Sequence, residues 1–168
     1  MPTPVDAVLE DIGRALDAGV WLGALITALM VPDICAALEQ ADGRTSGARY
    51  RAWYERYLSS AYPRLTADDC YSLRCGVAHQ GRMGHQNSQY GRVIFTLPNK
   101  SKTKILGAIV NDYLSLDLIT FCEDFAAAVK TWHDEMGEDP IVISNSTLIV
   151  QYRPNGLAPY IVGLPMLA

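Results

Sequence analysis

Thr66-Ala67-Asp68-Asp69-Cys70-Tyr71-Ser72-Leu73-Arg74-Cys75-Gly76-Val77-Ala78-His79-Gln80-Gly81 is the stretch whose reading decides the fold. Thr66 followed three residues later by Asp69 predicts a capping box, and Asp68 and Asp69 place carboxylates in a first turn where the helix dipole favours them. Cys70, Leu73 and Val77 recur at i, i+3 and i+7, which makes an apolar stripe for packing on other helices. Gly81 stops the run. On an ideal wheel Arg74 lies at one margin of that stripe and His79 at the other, about 140° apart. The expectation is that they meet only if the helix end unwinds, or if a second copy of the helix supplies the missing partner. Gly76, with no side chain, permits close approach of another backbone.

Helical spacing extends on both sides of this segment. Thr3-Pro4 offers a cap and a first-turn proline, after which Val5, Val8, Leu9, Ile12 and Leu16 predict a helix ending at Gly19. Trp21 through Leu38 is apolar on nearly every side, as a central bundle helix should be, with a kink or restart expected at Pro32-Asp33 and an end at Gly43. From about Thr45 to Ser60, Tyr50, Trp53, Tyr54 and Tyr57 share a stripe read as core rather than as a base-stacking platform. A long helix is expected from Leu114 through Phe121, Phe125 and Trp132 to Gly137.

Two β additions are expected. Val93 to Leu97 and Ile105 to Val110 read as a hairpin around the basic turn Pro98-Asn99-Lys100-Ser101-Lys102, and Ile141 to Ile143 with Leu148 to Tyr152 read as a second hairpin, with Tyr160 to Val162 as an edge. The fold class predicted is therefore mainly α: one domain over residues 1–168, with a helical bundle over about 5–136, a hairpin insert at about 92–110 and C-terminal strands at about 140–164.

A chain of 168 residues, 49% hydrophobic, is long enough for one substantial core. The apolar run from Val20 to Val31 is too short to cross a bilayer of ~30 Å, so no membrane is expected. Cys35, Cys70, Cys75 and Cys122 show neither a dense disulfide spacing nor a paired zinc pattern, and no basic-plus-apolar leader opens the chain. The expected compartment is the cytoplasm.

The net charge of −4 hides a division into three. Residues 1–43 carry one cation against seven carboxylates, residues 44–104 carry eleven against three, and residues 105–168 carry two against eight. Local rather than total positive charge attracts a polyanion, so the middle third fits an RNA site, with Arg82, Arg92, Lys100, Lys102 and Lys104 as its phosphate contacts. Arg74 can hold a phosphate in its planar fork, and the imidazole of His79 can take up and return a proton, which together suffice to cut a phosphodiester without a metal or other cofactor.

A mainly helical domain with Arg-x4-His at the end of one helix resembles the HEPN family (higher eukaryotes and prokaryotes nucleotide-binding), and the phrase from Tyr71 to Gly81 is similar to its signature helix. The resemblance implies a bundle of four or five helices and a homodimer in which two motif copies meet. It also implies a metal-independent endoribonuclease with Arg74 and His79 as catalytic residues, in a toxin or defence role with a protein antitoxin among its partners. Cys75 stands where the family has a polar residue such as Asn or Asp, and Gly81 stands where one toxin subgroup carries a modifiable tyrosine. Regulation by that modification is therefore not implied.

Two rival readings remain open. The first is a non-catalytic HEPN-like module for nucleotide binding or protein association, in which Arg74 is spent in an ion pair with a carboxylate such as Asp68 or Glu55. The second is a thiol enzyme on Cys75 and His79, or a zinc site from Cys70, Cys75, His79 and His85, whose spacing matches no common zinc motif.

Overall fold

The computed structural model describes residues 3–84 and 88–168. Six helices and seven short strands make a mainly α fold among these residues. The helices are α1 (Asp6–Asp17), α2 (Trp21–Leu38), α3 (Gly47–Tyr57), α4 (Ala67–Gln80), α5 (Leu118–Met136) and α6 (Pro140–Ser146).

α2 is the axis of the molecule. It touches α1, α3, α4, α5 and α6, and this follows from its sequence, because a helix without a polar face can only be covered on all sides. In length and composition α2 would reach across a bilayer, being longer than the Val20–Val31 run suggests, yet half of it is buried within this fold. The helix continues through Pro32, so no restart occurs at Pro32-Asp33. The aromatic stripe of α3 is core as expected. Tyr50, Trp53 and Tyr54 are buried, and the Tyr50 and Tyr54 hydroxyls donate to the carbonyls of Leu29 and Leu65.

α4 begins as its sequence dictates. Thr66 Oγ1 accepts from Asp69 N at 3.1 Å, and the Asp69 carboxylate accepts from Thr66 N, closing the box. Asp69 does more than cap. Only 2% exposed, it also accepts from Gln89 N at 2.8 Å, from the Gln89 side chain and from Ser88 Oγ at 3.1 Å, so the helix start is tied to the chain returning after the α4 loop. At the other end Gly81 takes the left-handed conformation (φ 63°) that only glycine adopts without strain, and Gly81 N donates to Gly76 O.

The strands differ from the expected hairpins. β1 (Arg92–Thr96) pairs in parallel with β3 (Tyr113–Asp117), and β2 (Ala108–Val110) pairs antiparallel with β3, giving the order β1-β3-β2. The hairpin is thus β2–β3, turned at Asn111-Asp112, where Asn111 has φ 55°, a value asparagine tolerates. The polar turn at 98–102 is part of a crossover between β1 and β2, and Leu114 belongs to β3 rather than to the long helix.

Ile141 to Ile143, expected as a strand, and the turn expected after it lie in α6, and of the strand expected from Leu148 to Tyr152 only Tyr152 is in one. Asp139 accepts from Ile141 N and Val142 N, and Pro140 sits at the first helical position, so the local cap overrides the β-branched Ile-Val-Ile run. The tail folds into two two-residue ladders, β4 (Tyr152–Arg153) with β7 (Met166–Leu167) and β5 (Gly156–Leu157) with β6 (Ile161–Val162).

Removing the Asp69 carboxylate leaves several donors without their acceptor, and Asp69→Ala should cost about 2–3 kcal/mol in a denaturant titration. Burial pushes the Asp69 pKa up, but hydrogen bonds from Thr66, Gln89 and Ser88 outweigh it and hold the value below its ordinary 3.8. A depressed folded pKa contributes stability that is present above the unfolded value and lost as pH falls through the folded one. The wild type should therefore lose stability on acidification below about 4 more steeply than Asp69→Ala does.

Candidate functional site

Arg74 and His79 meet within one chain. Arg74 Nη1 lies 2.8 Å from His79 Nε2 while α4 stays helical through Gln80, so neither an unwound end nor a second copy is required to join them. The wheel separates the Cα–Cβ directions, but an arginine side chain is long enough to run along the helix surface and close a gap of five residues. Guanidinium carries no acceptor, so His79 Nε2 must accept and the neutral ring must carry its proton on Nδ1.

The cation is held from behind by a residue that the sequence reading did not select. Arg74 Nε donates to Asp33 Oδ2 at 2.8 Å, with the two side chains only 19% and 11% exposed, and Thr45 Oγ1 donates to Asp33 Oδ1 at 3.2 Å. The partner is thus on α2, not Asp68 or Glu55. Burial lowers the Arg74 pKa, but Asp33 and Cys75 together outweigh it and the net displacement is upward, so the guanidinium stays charged. The signal for Asp33 was in the sequence: it is the one charged residue in an otherwise apolar helix, and such a group must find a counter-charge.

Cys75 is half-buried and has a place beside Arg74 and Tyr71. The Tyr71 ring carries the Arg51 guanidinium at 4.2 Å and meets Tyr50 edge-on, and burial pushes its hydroxyl pKa up. Cys70 is fully buried with its sulfur 3.4 Å from the Tyr50 hydroxyl, which keeps it in the core. Among the described residues no group of three or more His, Cys, Asp or Glu is arranged to hold a metal ion, and His85 of the zinc reading lies outside the described residues.

The expected phosphate contacts divide. Arg82 and Arg92, both exposed, line one cleft of ≈ 360 Å³ with Gly81, Met83, Gly84 and Gly91. Lys100 and Lys102 are exposed on the 98–102 turn. Lys104 is spent elsewhere, with Nζ 3.1 Å from Thr120 Oγ1 and 3.9 Å from Asp117 at the start of α5. Of the eleven cations in residues 44–104, Arg49, Arg51, Arg56, Arg74 and Lys104 pair with carboxylates, four of them with carboxylates of the acidic outer segments. The basic belt is therefore narrower in space than in sequence.

Gly76 serves this chain's own loop. A Cβ there would stand 2.6 Å from the Gly84 carbonyl oxygen and 2.8 Å from that of Arg82, and Arg82 N donates to Gly76 O at 3.0 Å. The close approach expected of a second backbone is taken by the segment that carries Arg82. No family model matches the chain, and neither does any curated protein or solved structure.

Two substitutions probe this arrangement. Gly76→Ala must displace the 82–84 backbone and should cost about 1–3 kcal/mol in thermal or denaturant unfolding. Asp33→Asn leaves a largely buried guanidinium without its counter-charge and should cost roughly 2–4 kcal/mol, while adding Arg74→Met in the same molecule should recover part of that loss.

Proposed function

We propose that the chain is a metal-independent endoribonuclease built as a HEPN-like bundle, with Arg74 and His79 as its catalytic pair and Asp33 as the residue that positions Arg74. The observation that carries this reading is the 2.8 Å contact of Arg74 Nη1 with His79 Nε2, made while Asp33 holds the same guanidinium through Nε. Anchoring at Nε leaves both terminal nitrogens on the free edge of the fork, which is the edge that matches two phosphate oxygens.

A phosphodiester entering this edge takes Nη1 from the imidazole. That releases His79 Nε2, the unprotonated nitrogen, at the moment a phosphate is bound. His79 then accepts the proton of the 2′-hydroxyl, the 2′-oxygen attacks phosphorus, and Arg74 stabilises the charge that develops on the phosphoryl oxygens. The proton returns from the imidazolium to the departing 5′-oxygen, leaving a cyclic phosphate and a 5′-hydroxyl. Arg82 and Arg92 bind flanking phosphates. The family resemblance also implies a homodimer, whose role here is to extend the RNA track rather than to complete the pair.

A second reading is favoured by the same ion pair. Asp33 neutralises Arg74, and Cys75 replaces the polar residue of the motif, which suits a module that binds RNA or a protein partner without cutting.

Purified protein should cleave single-stranded RNA in the presence of a chelator, leave cyclic-phosphate ends and spare DNA, which lacks the internal nucleophile. His79→Ala should abolish cutting with the fold intact, Arg74→Ala should lower the rate by about 10²–10³, and Cys75→Ser should leave it unchanged. Reversing Arg82 and Arg92 to Glu should weaken RNA binding and flatten its dependence on salt. Cleavage that survives His79→Ala would refute the assignment. RNA binding by a wild type that cuts no member of a broad RNA panel would establish the second reading.

A further inference from the structure

A cavity of ≈ 300 Å³ opens where the α3–α4 connection, the sheet and the first turns of α5 meet, among elements that do not supply Arg74 or His79. Its floor is Leu65, Leu114 and Leu116, all at most 3% exposed, and Leu106 forms an exposed wall. This is the lower end of the size range of ligand sites, and the apolar lining with a few polar groups is their usual composition.

The two hydroxyls that line it are engaged as donors, and the two carboxylates are engaged at one oxygen each. Tyr62 donates its hydroxyl to Asp124 Oδ2 at 2.6 Å, and Thr120 donates its hydroxyl to Asp117 Oδ1 at 2.8 Å. Arg64 Nη1 is spent on the Gly107 carbonyl at 2.7 Å, with the residue exposed at the rim. Asp117 is 6% exposed, and its hydrogen bonds among the described residues, from Thr120 N and Thr120 Oγ1, fall on Oδ1, where Lys104 Nζ also stands 3.9 Å away. Asp124 is likewise bonded at Oδ2 alone among the described residues. Asp117, Thr120 and Asp124 share one side of α5, at i, i+3 and i+7, so the two uncommitted oxygens, Asp117 Oδ2 and Asp124 Oδ1, belong to the same wall. Neither oxygen is sealed from solvent, so a ligand that enters here with hydrogen-bond donors and positive charge meets two acceptors already in place.

We propose that this cavity is a binding site for a small organic cation, a primary amine on an apolar body. The ammonium is received by Asp117 Oδ2 and Asp124 Oδ1, and its body lies on the leucine floor. A carboxylate or phosphate ligand is disfavoured, because it would face the free oxygens of two carboxylates, while Arg64 at the rim is engaged with the Gly107 carbonyl and Lys104 stands at Oδ1 of Asp117. The proposal is independent of RNA cleavage and is tested by binding alone.

The test uses the full chain, labelled with ¹⁵N, titrated with phenethylamine, with the equally sized neutral 2-phenylethanol and with the acid 3-phenylpropionate. The expected result is saturable millimolar or tighter binding of the amine, with amide shifts concentrated at 62–65, 106–107 and 114–124, and at least about tenfold weaker binding of the alcohol and the acid. Asp124→Asn keeps an acceptor for Tyr62 while removing charge, and should weaken amine binding by about tenfold or more. Leu106→Arg, at a position 68% exposed and so without consequence for the core, should block it. Binding of the alcohol or the acid as tight as that of the amine would overturn the proposal, as would the absence of any saturable amine binding at millimolar concentration.

Discussion

The ion pair between Asp33 and Arg74 is the constraint on which the rest of the structure depends. α2 is packed by five other helices, and Asp33, 8% exposed within it, can be accommodated only if a cation reaches it. Arg74 reaches it from α4, which fixes the rotation of α4 about its own axis and its height against α2. That rotation sends Cys70, Leu73 and Val77 into the core. It also leaves His79 at the exposed margin, where Nη1 of the same guanidinium meets it. In the proposed function the pair couples packing to chemistry: the group that satisfies a buried charge is the group assigned to the phosphate.

Charge separation along the chain is resolved in the same way. The acidic first and last segments wrap the basic middle one, and Asp33, Asp42, Asp117 and Glu135 each take up one of its cations. The exposed pairs among them, Arg49–Asp42 and Arg56–Glu135, are screened and contribute little to stability individually. Their larger effect is on the surface field, because they subtract cations from the belt and leave Arg82 and Arg92 together in one cleft. That cleft lies on the loop that Gly76 holds against α4, directly after the helix end that carries His79, which is where the proposed function puts the RNA strand.

What the sequence made legible is what depends on local chemistry. The capping box at Thr66, the stop at Gly81, the aromatic core stripe of α3 and the all-apolar character of α2 are each written in neighbouring residues. The misread parts depend on partners distant in the chain. β1 was read as half of a hairpin because its nearest strand-like neighbour follows it, whereas its actual partner is β3 in parallel, which no local turn encodes. α6 was read as a strand because three β-branched residues outweighed the Asp139-Pro140 start signal. Leu114 satisfies the helical spacing of α5 and yet lies in β3, since the periodicity alone does not mark where Asp117 caps the helix. Within the candidate site, Arg74 and His79 were visible as residue types. Asp33 was passed over because a lone acid beside a proline reads as a helix boundary, and the reach of the arginine side chain was lost in a wheel that plots only directions.

The most direct test of this account is the tautomer of His79, read from the ¹⁵N shifts of its imidazole in the neutral state. If Asp33 holds the guanidinium so that Nη1 donates to Nε2, the ring must carry its proton on Nδ1 in the wild type, and Asp33→Asn must release it toward the Nε2–H form that a free imidazole prefers. An Nε2–H ring in the wild type, or an Nδ1–H ring unchanged by Asp33→Asn, would contradict the claim that one ion pair both completes the core and arms the site.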